Sequence, residues 1–393
     1  MNLIGILQEE NTIDSFVNHL AEETQNYGLS LIVFTLEDLD LEEGLVNGKV
    51  HKEGDWHLQE VPIPLFIDVS PSLFKTAAKR STLKKLRKYA KLSATVRFPL
   101  LRSRYHRYFK QGSYFYERVI FREKVQTIEE VEQYVKEHDC IRVTPIGKRK
   151  ERMIFTLTDR LNIYREEDQK LLSHDYTVLT PYLNKKGFYL ERFIPSITDP
   201  LQEMNGYAHF EKGGEGKWVL IQTKVQSTVT LDEYYSKNYE EESEELLTKA
   251  EEELYRFAKG VEISRKREFI DLIVHFVIDQ QGKLHFRHVT KNIHKRSNQM
   301  QEIIKLRAAY YAFKAEALRI KEIKSPEELI QRRLENNQIE ESLIQYQEEE
   351  ERKRKLIEQG ILKPEKKQWT TFGILVIIAL IFALSRYVLR VFM

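Results

Sequence analysis

The sequence predicts a mixed α/β fold, and three stretches carry that expectation. At the amino terminus "LIGIL", an amphipathic "IDSFVNHLAEETQNYG" stopped by Gly28, and "LSLIVFTL" read strand, helix, strand. A βαβ opening of this kind argues for a parallel sheet. Further along, "TIEEVEQYVKEH" reads as a helix whose Thr127 and Glu130 fit a capping box. Near the other end, "LIVHFVI" and "KLHFRHV" flank Asp279-Gln280-Gln281-Gly282. An Asp-x-x-Gly connection whose glycine can take positive φ is a hairpin signal.

The elements between follow in order. Residues 1–70 form an amino-terminal α/β domain whose second half reads as turn-rich chain. From 71 to about 125 helix and loop dominate, and strands follow the capped helix at "CIRVTPI", "ERMIFTLT", "LNIYR", "FYLERFI", "YAHFEK" and "KWVLIQTKV". The "GGEG" of Gly213 to Gly216 reads as the tip of a hairpin joining the last two. An acidic helix from about 240 to 259 precedes the closing hairpin, which completes a second domain over 71–300. Residues 301–365 are nearly all helix formers with irregular apolar spacing, which reads as a charged helical stalk rather than a coiled coil.

The carboxy terminus differs from everything before it. Trp369 to Ser385, "WTTFGILVIIALIFALS", carries no charge over 17 residues, and "RYVLRVFM" follows. Spanning a hydrocarbon core takes about 20 residues at 1.5 Å each, which 369–391 supplies if Arg386 and Arg390 snorkel to the headgroups. The expectation is a single-pass membrane protein with the bulk of the chain cytoplasmic, since Lys363, Lys366 and Lys367 precede the span. One cysteine, Cys140, excludes an intrachain disulfide and a thiolate zinc cage and points to a reducing compartment.

A net charge of +2 conceals strong segregation. Between Lys75 and Lys124 stand 16 Lys or Arg against Glu117 and Glu123, interleaved with aromatic residues; between Asp232 and Glu253 stand 10 acids against Lys237 and Lys249. The basic segment suits an anionic lipid surface, a protein partner or the chain's own acidic helix, readings that we weigh over nucleic acid. A solvated helical face without a partner stays open beside them.

No G-x-x-x-x-G-K-[ST] loop, H-E-x-x-H or G-x-S-x-G occurs, so P-loop and common hydrolase chemistry have no residues here. Three histidines mark the closing hairpin, His275, His285 and His288. Strand alternation sets His288 with Leu284 and Phe286 and turns His285 to the opposite face, so the three do not converge on one ion by spacing. With no cysteine or tight carboxylate cluster beside them, half-buried or edge histidines are the commoner outcome than a metal site.

The order of a βαβ leader, a capped helix, strands, "FYLERFIP", a pair ending in "GKWVLIQTKV", a helix and the hairpin "VHFVIDQQGKLHFRHVTKN" resembles that of ATP-grasp proteins. More closely, residues 1 to about 300 resemble the YheC/YheD family of spore-forming bacteria, described as endospore coat-associated. The leader "FTLEDLDLEEGLVNGKVHKEGDWHLQEVPIPLFIDVS", the hinge "FYLERFI" and the pair "YAHFEKGGEGKW" carry the resemblance beside the closing hairpin. It implies a fold that binds ATP through a lysine and a glycine-rich loop, with Mg²⁺ on carboxylates.

The chain departs from that pattern where the chemistry would lie. In "IRVTPIGKRKERMIF" Thr144 stands at the lysine, and Lys148, Arg149 and Lys150 follow Gly147 in place of glycines. His275, His288 and Thr290 fall at the metal positions, and Asn205 and Tyr207 at a D-x-R pair. A neutral imidazole is a poor partner for hard Mg²⁺. The reading is therefore a degenerate, non-catalytic ATP-grasp-like binding or scaffold protein with no cofactor and no metal. The alternative is an ATP- and Mg-dependent ligase or kinase acting at the membrane, in which a shifted alignment recruits Asp271 or Asp279. If a nucleotide binds, Glu191 and Phe193 at the hinge and Arg142 and Lys224 near phosphates are its candidate contacts, against a salt bridge and ordinary core packing.

Overall fold

A computed structural model describes residues 3–74, 76–93, 114–147, 151–183, 187–265, 269–290 and 299–322. They lie in one unit, Met1–Ile320; a second unit, Lys321–Met393, holds the expected span and most of the expected stalk, which fall outside the described residues. Among the described residues no helix is long and apolar enough to cross a membrane.

The βαβ opening is β1 (Leu3–Leu7), α1 (Ser15–Gln25) and β2 (Ser30–Phe34). Asp14 caps α1 by accepting from the Val17 N–H, and Gly28 leaves it at φ 66°. The stretch expected to be turn-rich instead forms β3 (Leu39–Asp40), β4 (Leu45–Lys52), β5 (Asp55–Pro62) and β6 (Phe66–Val69). β6 lies parallel to β1 at the centre of the sheet, with all four of its residues buried. After α2 (Ala77–Leu86), β7 (Lys91–Leu92) completes a seven-stranded sheet in the order β3-β4-β2-β1-β6-β7 with β5 on β4.

The second sheet is antiparallel, ordered β12-β11-β10-β9-β13-β8. Its elements are β8 (Arg122–Val125), α3 (Ile128–His138), β9 (Cys140–Pro145), β10 (Met153–Leu157), β11 (Leu161–Arg165), β12 (Leu171–Ser173), the short α4 (Thr180–Leu183) and β13 (Phe188–Arg192). Both halves of the Thr127 and Glu130 capping box are present on α3. Val131 and Val135 of α3 bury against Ile141, Val143, Phe155 and Leu190. Alternation then turns Arg142, Thr144 and Glu191 to the opposite face.

The third sheet, β15-β14-β16-β17, comprises β14 (Met204–Lys212), β15 (Trp218–Val225), β16 (Asp271–Ile278) and β17 (Leu284–Thr290). One face is covered by α5 (Leu231–Asn238) and α6 (Ser243–Arg265), where the Phe257 and Phe286 rings stack 4.0 Å apart. The "GGEG" tip and the Asp279 to Gly282 turn both stand as hairpin connections, with Gly216 at φ 70° and Gly282 at φ 76°.

Residues 300–322 of the expected stalk form α7 (Met300–Glu322), which packs on the first domain. Its Ile304, Ala308, Tyr310 and Tyr311 are buried with α1, β1 and β2. The irregular apolar spacing reflects this docking, because α7 also meets the third sheet: buried Arg307 donates to Glu211 and Asp271, while the Tyr311 hydroxyl donates to Asp68.

Candidate functional site

The register of β8, β13 and β9 sets Arg122, Glu191 and Arg142 directly opposite one another on the face away from α3. Alternating charge on one rung sets each group beside an opposite charge. Arg122 lies 3.2 Å from Glu191 and Arg142 3.6 Å from it. Arg142 reaches further, donating from Nε at 3.0 Å and Nη2 at 2.7 Å to Glu166 just past β11. Its guanidinium also lies over the Phe193 ring, 5.2 Å from the centroid.

Glu203 joins this rung to the third sheet. It sits in the crossing between β13 and β14, and its Oε1 accepts from the Ile194 N–H at 3.2 Å. Its Oε2 accepts from Arg142 at 2.5 Å and from Arg287 of β17, which also donates to Asn205 at 2.9 Å. Burial pushes the Glu203 carboxyl up, but Arg287 and Arg142 outweigh it and hold the group at about 2. The same carboxylate and Glu166 keep the Arg142 guanidinium charged despite its burial.

Arg287 reaches Glu203 because β17 is bulged there. The pairing passes from His275 opposite His288 to Phe276 opposite Phe286, leaving Arg287 as the extra residue. The bulge also corrects the expectation that His288 faces with Leu284 and Phe286. Those two point into the core with Val289, while His288 turns to the other face and stacks on His275, ring centroids 4.1 Å apart and 14° from parallel. His275 Nε2 lies 3.1 Å from the Thr290 hydroxyl. The three positions aligned with metal ligands thus meet as a stacked and hydrogen-bonded group. His285 pairs separately with Asp279 at 2.9 Å, and Asp271 is engaged by Arg307.

A cavity of about 460 Å³ opens beside the network, floored by Phe193 and Leu201. That size suits a small ligand. Its lining carries Glu166, Glu167, Asp168 and Glu203 against Arg142 alone. Such a balance opposes a polyphosphate.

Of the four nucleotide candidates, the structure brings Arg142, Glu191 and Phe193 together. Lys224 stands apart, donating to the Thr228 carbonyl at the end of the β14–β15 pair. Sequence reasoning missed Glu203, Arg287, Glu166 and Arg122. Of these only Arg122 could have been found, by pairing β8 with β13 and reading across from Glu191.

The residues present do not fit Mg-ATP. Arg142 is committed to Glu166 and Glu203; Thr144, where the resemblance expects the lysine, is buried and uncharged; and His275 and His288, where it expects metal ligands, stack on each other. Lys148, Arg149 and Lys150 lie outside the described residues. Among the described residues no group of three His, Cys, Asp or Glu is placed to hold a metal.

No family model matches the chain, and no curated protein matches it. Among solved structures it is similar to the N5-carboxyaminoimidazole synthetase from Staphylococcus aureus, with TM-score 0.42 and 11% identity over 79% of this chain and 77% of that one. It is similar to the D-alanine-D-alanine ligase from Coxiella burnetii, with TM-score 0.39 and 10% identity over 82% and 99%. A third is the RiPP-associated ATP-grasp ligase from Chryseobacterium gregarium, solved with ADP and a leader and core peptide, with TM-score 0.42 and 10% identity over 82% and 97%. All three likenesses are distant.

Proposed function

We propose that this chain is a non-catalytic, ATP-grasp-like binding or scaffold protein, held at a membrane by its carboxy-terminal apolar segment. The observation that carries this reading is the bridge Arg142, Glu203, Arg287, in which one buried carboxylate is shared by an arginine from each antiparallel sheet. The bridge ties the two sheets with the chain's own charges. The order of elements and the substitution of Thr144, His275 and His288 support the same reading, and the uncharged run from Trp369 to Ser385 supports the anchor. The resemblance to the YheC/YheD family supplies the setting, spore formation.

Calorimetric titration of the full chain in detergent, with ATP and with or without Mg²⁺, tests it. The expected result is no saturable heat at millimolar nucleotide from folded protein. Saturable, metal-dependent heat would overturn the reading in favour of an ATP-dependent ligase or kinase.

A further inference from the structure

From Lys75 to Leu92 the sequence holds eight Lys or Arg and no acid. In the structure much of that charge gathers on one surface. Ala77, Ser81, Lys84, Lys85 and Lys88 recur at helical spacing along the outer side of α2 and the turn after it, all exposed, and Lys91 is exposed just beyond. Leu83 and Leu86 bury on the inner side, so the helix is fixed to the domain with its cations outward. Lys79 is paired with Glu9 and Arg80 with the Phe74 carbonyl, and the patch is counted without them.

Lys84 and Lys85 lie in the last helical turn, where they also favour the helix dipole. Lys88 and Lys91 lie past the helix, so capping does not account for them. Tyr89, 43% exposed, donates its hydroxyl to the Leu41 carbonyl, and the acidic turn around Asp40, Glu42 and Glu43 bounds the patch on that side. Three acids of α6 are answered locally: Glu245 by Lys249, Glu252 by Arg256, and Glu253 by Arg118 and Tyr114.

We propose that this face, Lys84, Lys85, Lys88 and Lys91 around Ser81, docks on an anionic lipid surface. Clustered lysines bind such a surface by charge, and the apolar carboxy-terminal segment raises the local concentration of lipid around them. Forty-six residues separate Glu322 from Trp369 in the sequence. The inference rests on the proposed anchor only for that local concentration; the charge complementarity stands without it.

The test uses the full chain with Ser81→Cys carrying a fluorophore, since the one native cysteine, Cys140, is buried. The labelled chain is incorporated into phosphatidylcholine vesicles with and without phosphatidylserine, each holding a headgroup quencher. Quenching is expected only in the anionic vesicles, reversed by high salt and lost when Lys84, Lys85, Lys88 and Lys91 become Glu. The vesicle affinity of the patch should fall by at least roughly a thousandfold on those reversals, at about 1 kcal/mol for each of the four lysines. Equal quenching in both vesicles, or quenching that survives the reversals, would overturn the proposal. Extraction of the chain by alkaline carbonate would defeat the anchor alone, and salt-sensitive quenching would still decide the role of α2.

Discussion

Arg287 of β17 and Arg142 of β9 reach the same oxygen of Glu203 from two different sheets. Like charges converge there only because a buried carboxylate lies between them. Removing it leaves two guanidiniums facing each other with little water to screen them.

Glu203→Gln should therefore destabilise the fold by about 3–5 kcal/mol, the usual cost of breaking one partner out of a buried ion pair. Denaturant unfolding of the full chain in detergent measures it. Replacing Arg142, Glu203 and Arg287 together by Met, Leu and Met should recover only part of the loss, because Glu191 and Glu166 then lose Arg142 and keep only Arg122 and Arg152. A change below about 1 kcal/mol in the single variant would show that the bridge does not tie the sheets.

Acid should weaken the same bridge. The Glu203 carboxyl titrates at about 2 in the folded chain against 4.5 unperturbed. A depressed folded pKa gives stability that is fully present above the unfolded value and is lost as pH falls toward the folded one. The window is thus about pH 4.5 down to 2, and the contribution at stake is about 3 kcal/mol. Asp279, also held low against its burial by His285 and turn N–H groups, loses stability in the same direction. Unfolding midpoints measured across that window should fall for the natural chain and flatten for Glu203→Gln.

How much of this could be read in advance depends on how local the cause is. The capping box at Thr127 and the Asp279 to Gly282 turn are set by residues within four positions of each other, and sequence reading found both. The rung of Arg122, Glu191 and Arg142 depends on register, yet two of its three members were singled out because charges on strands are conspicuous. Glu203 lies in irregular chain and meets partners 61 and 84 positions away, so no periodicity marks it. β6 was missed because four buried residues, one of them Asp68, give no alternating pattern. The bulge at Arg287 is a one-residue event without Gly or Pro to announce it, and it reversed the facing of His288.

α7 offers a second buried ion network to test. Arg307 is buried between Glu211 and Asp271, both fully enclosed. Arg307→Met leaves two carboxylates close together without a cation, and about 3–5 kcal/mol should be lost near neutral pH. His209, whose Nε2 lies 3.1 Å from Glu211, is then the remaining side-chain partner of that carboxylate among the described residues. Faster hydrogen exchange over Ile304 to Tyr311 should accompany the change, since α7 is held to the third sheet there.

Gly206 in β14 is required by close approach. A Cβ added there would stand 2.4 Å from Phe276 Cε2 and 2.9 Å from the Lys224 carbonyl oxygen. Neither can yield freely, because Phe276 belongs to the core and Lys224 to the paired strand. Gly206→Ala should cost about 1–3 kcal/mol, as overpacking does, with Gly28→Ala, where nothing lies within 4 Å, as a comparison sensitive to backbone φ alone.

The stacked histidines permit the most direct trial of the non-catalytic reading. Changing His275 to Asp, His288 to Glu and Thr290 to Asn places oxygen ligands at positions that already meet across β16 and β17. If loss of those ligands were the sole obstacle, the triple variant should bind ATP in a Mg²⁺-dependent manner. We expect it not to, because Arg142 remains committed to Glu166 and Glu203, and Thr144 supplies no cation for the phosphates. Adding Thr144→Lys and Glu203→Gln releases Arg287 from the shared carboxylate and supplies a further cation, while Arg142 keeps Glu166 and Glu191. Binding that emerges only in that combined variant would identify the Glu203 bridge, rather than the metal positions, as the feature that closes the cleft to nucleotide. Titration calorimetry on both variants separates the two cases, and saturable heat from the first would favour an ancestral site disabled at its metal ligands alone.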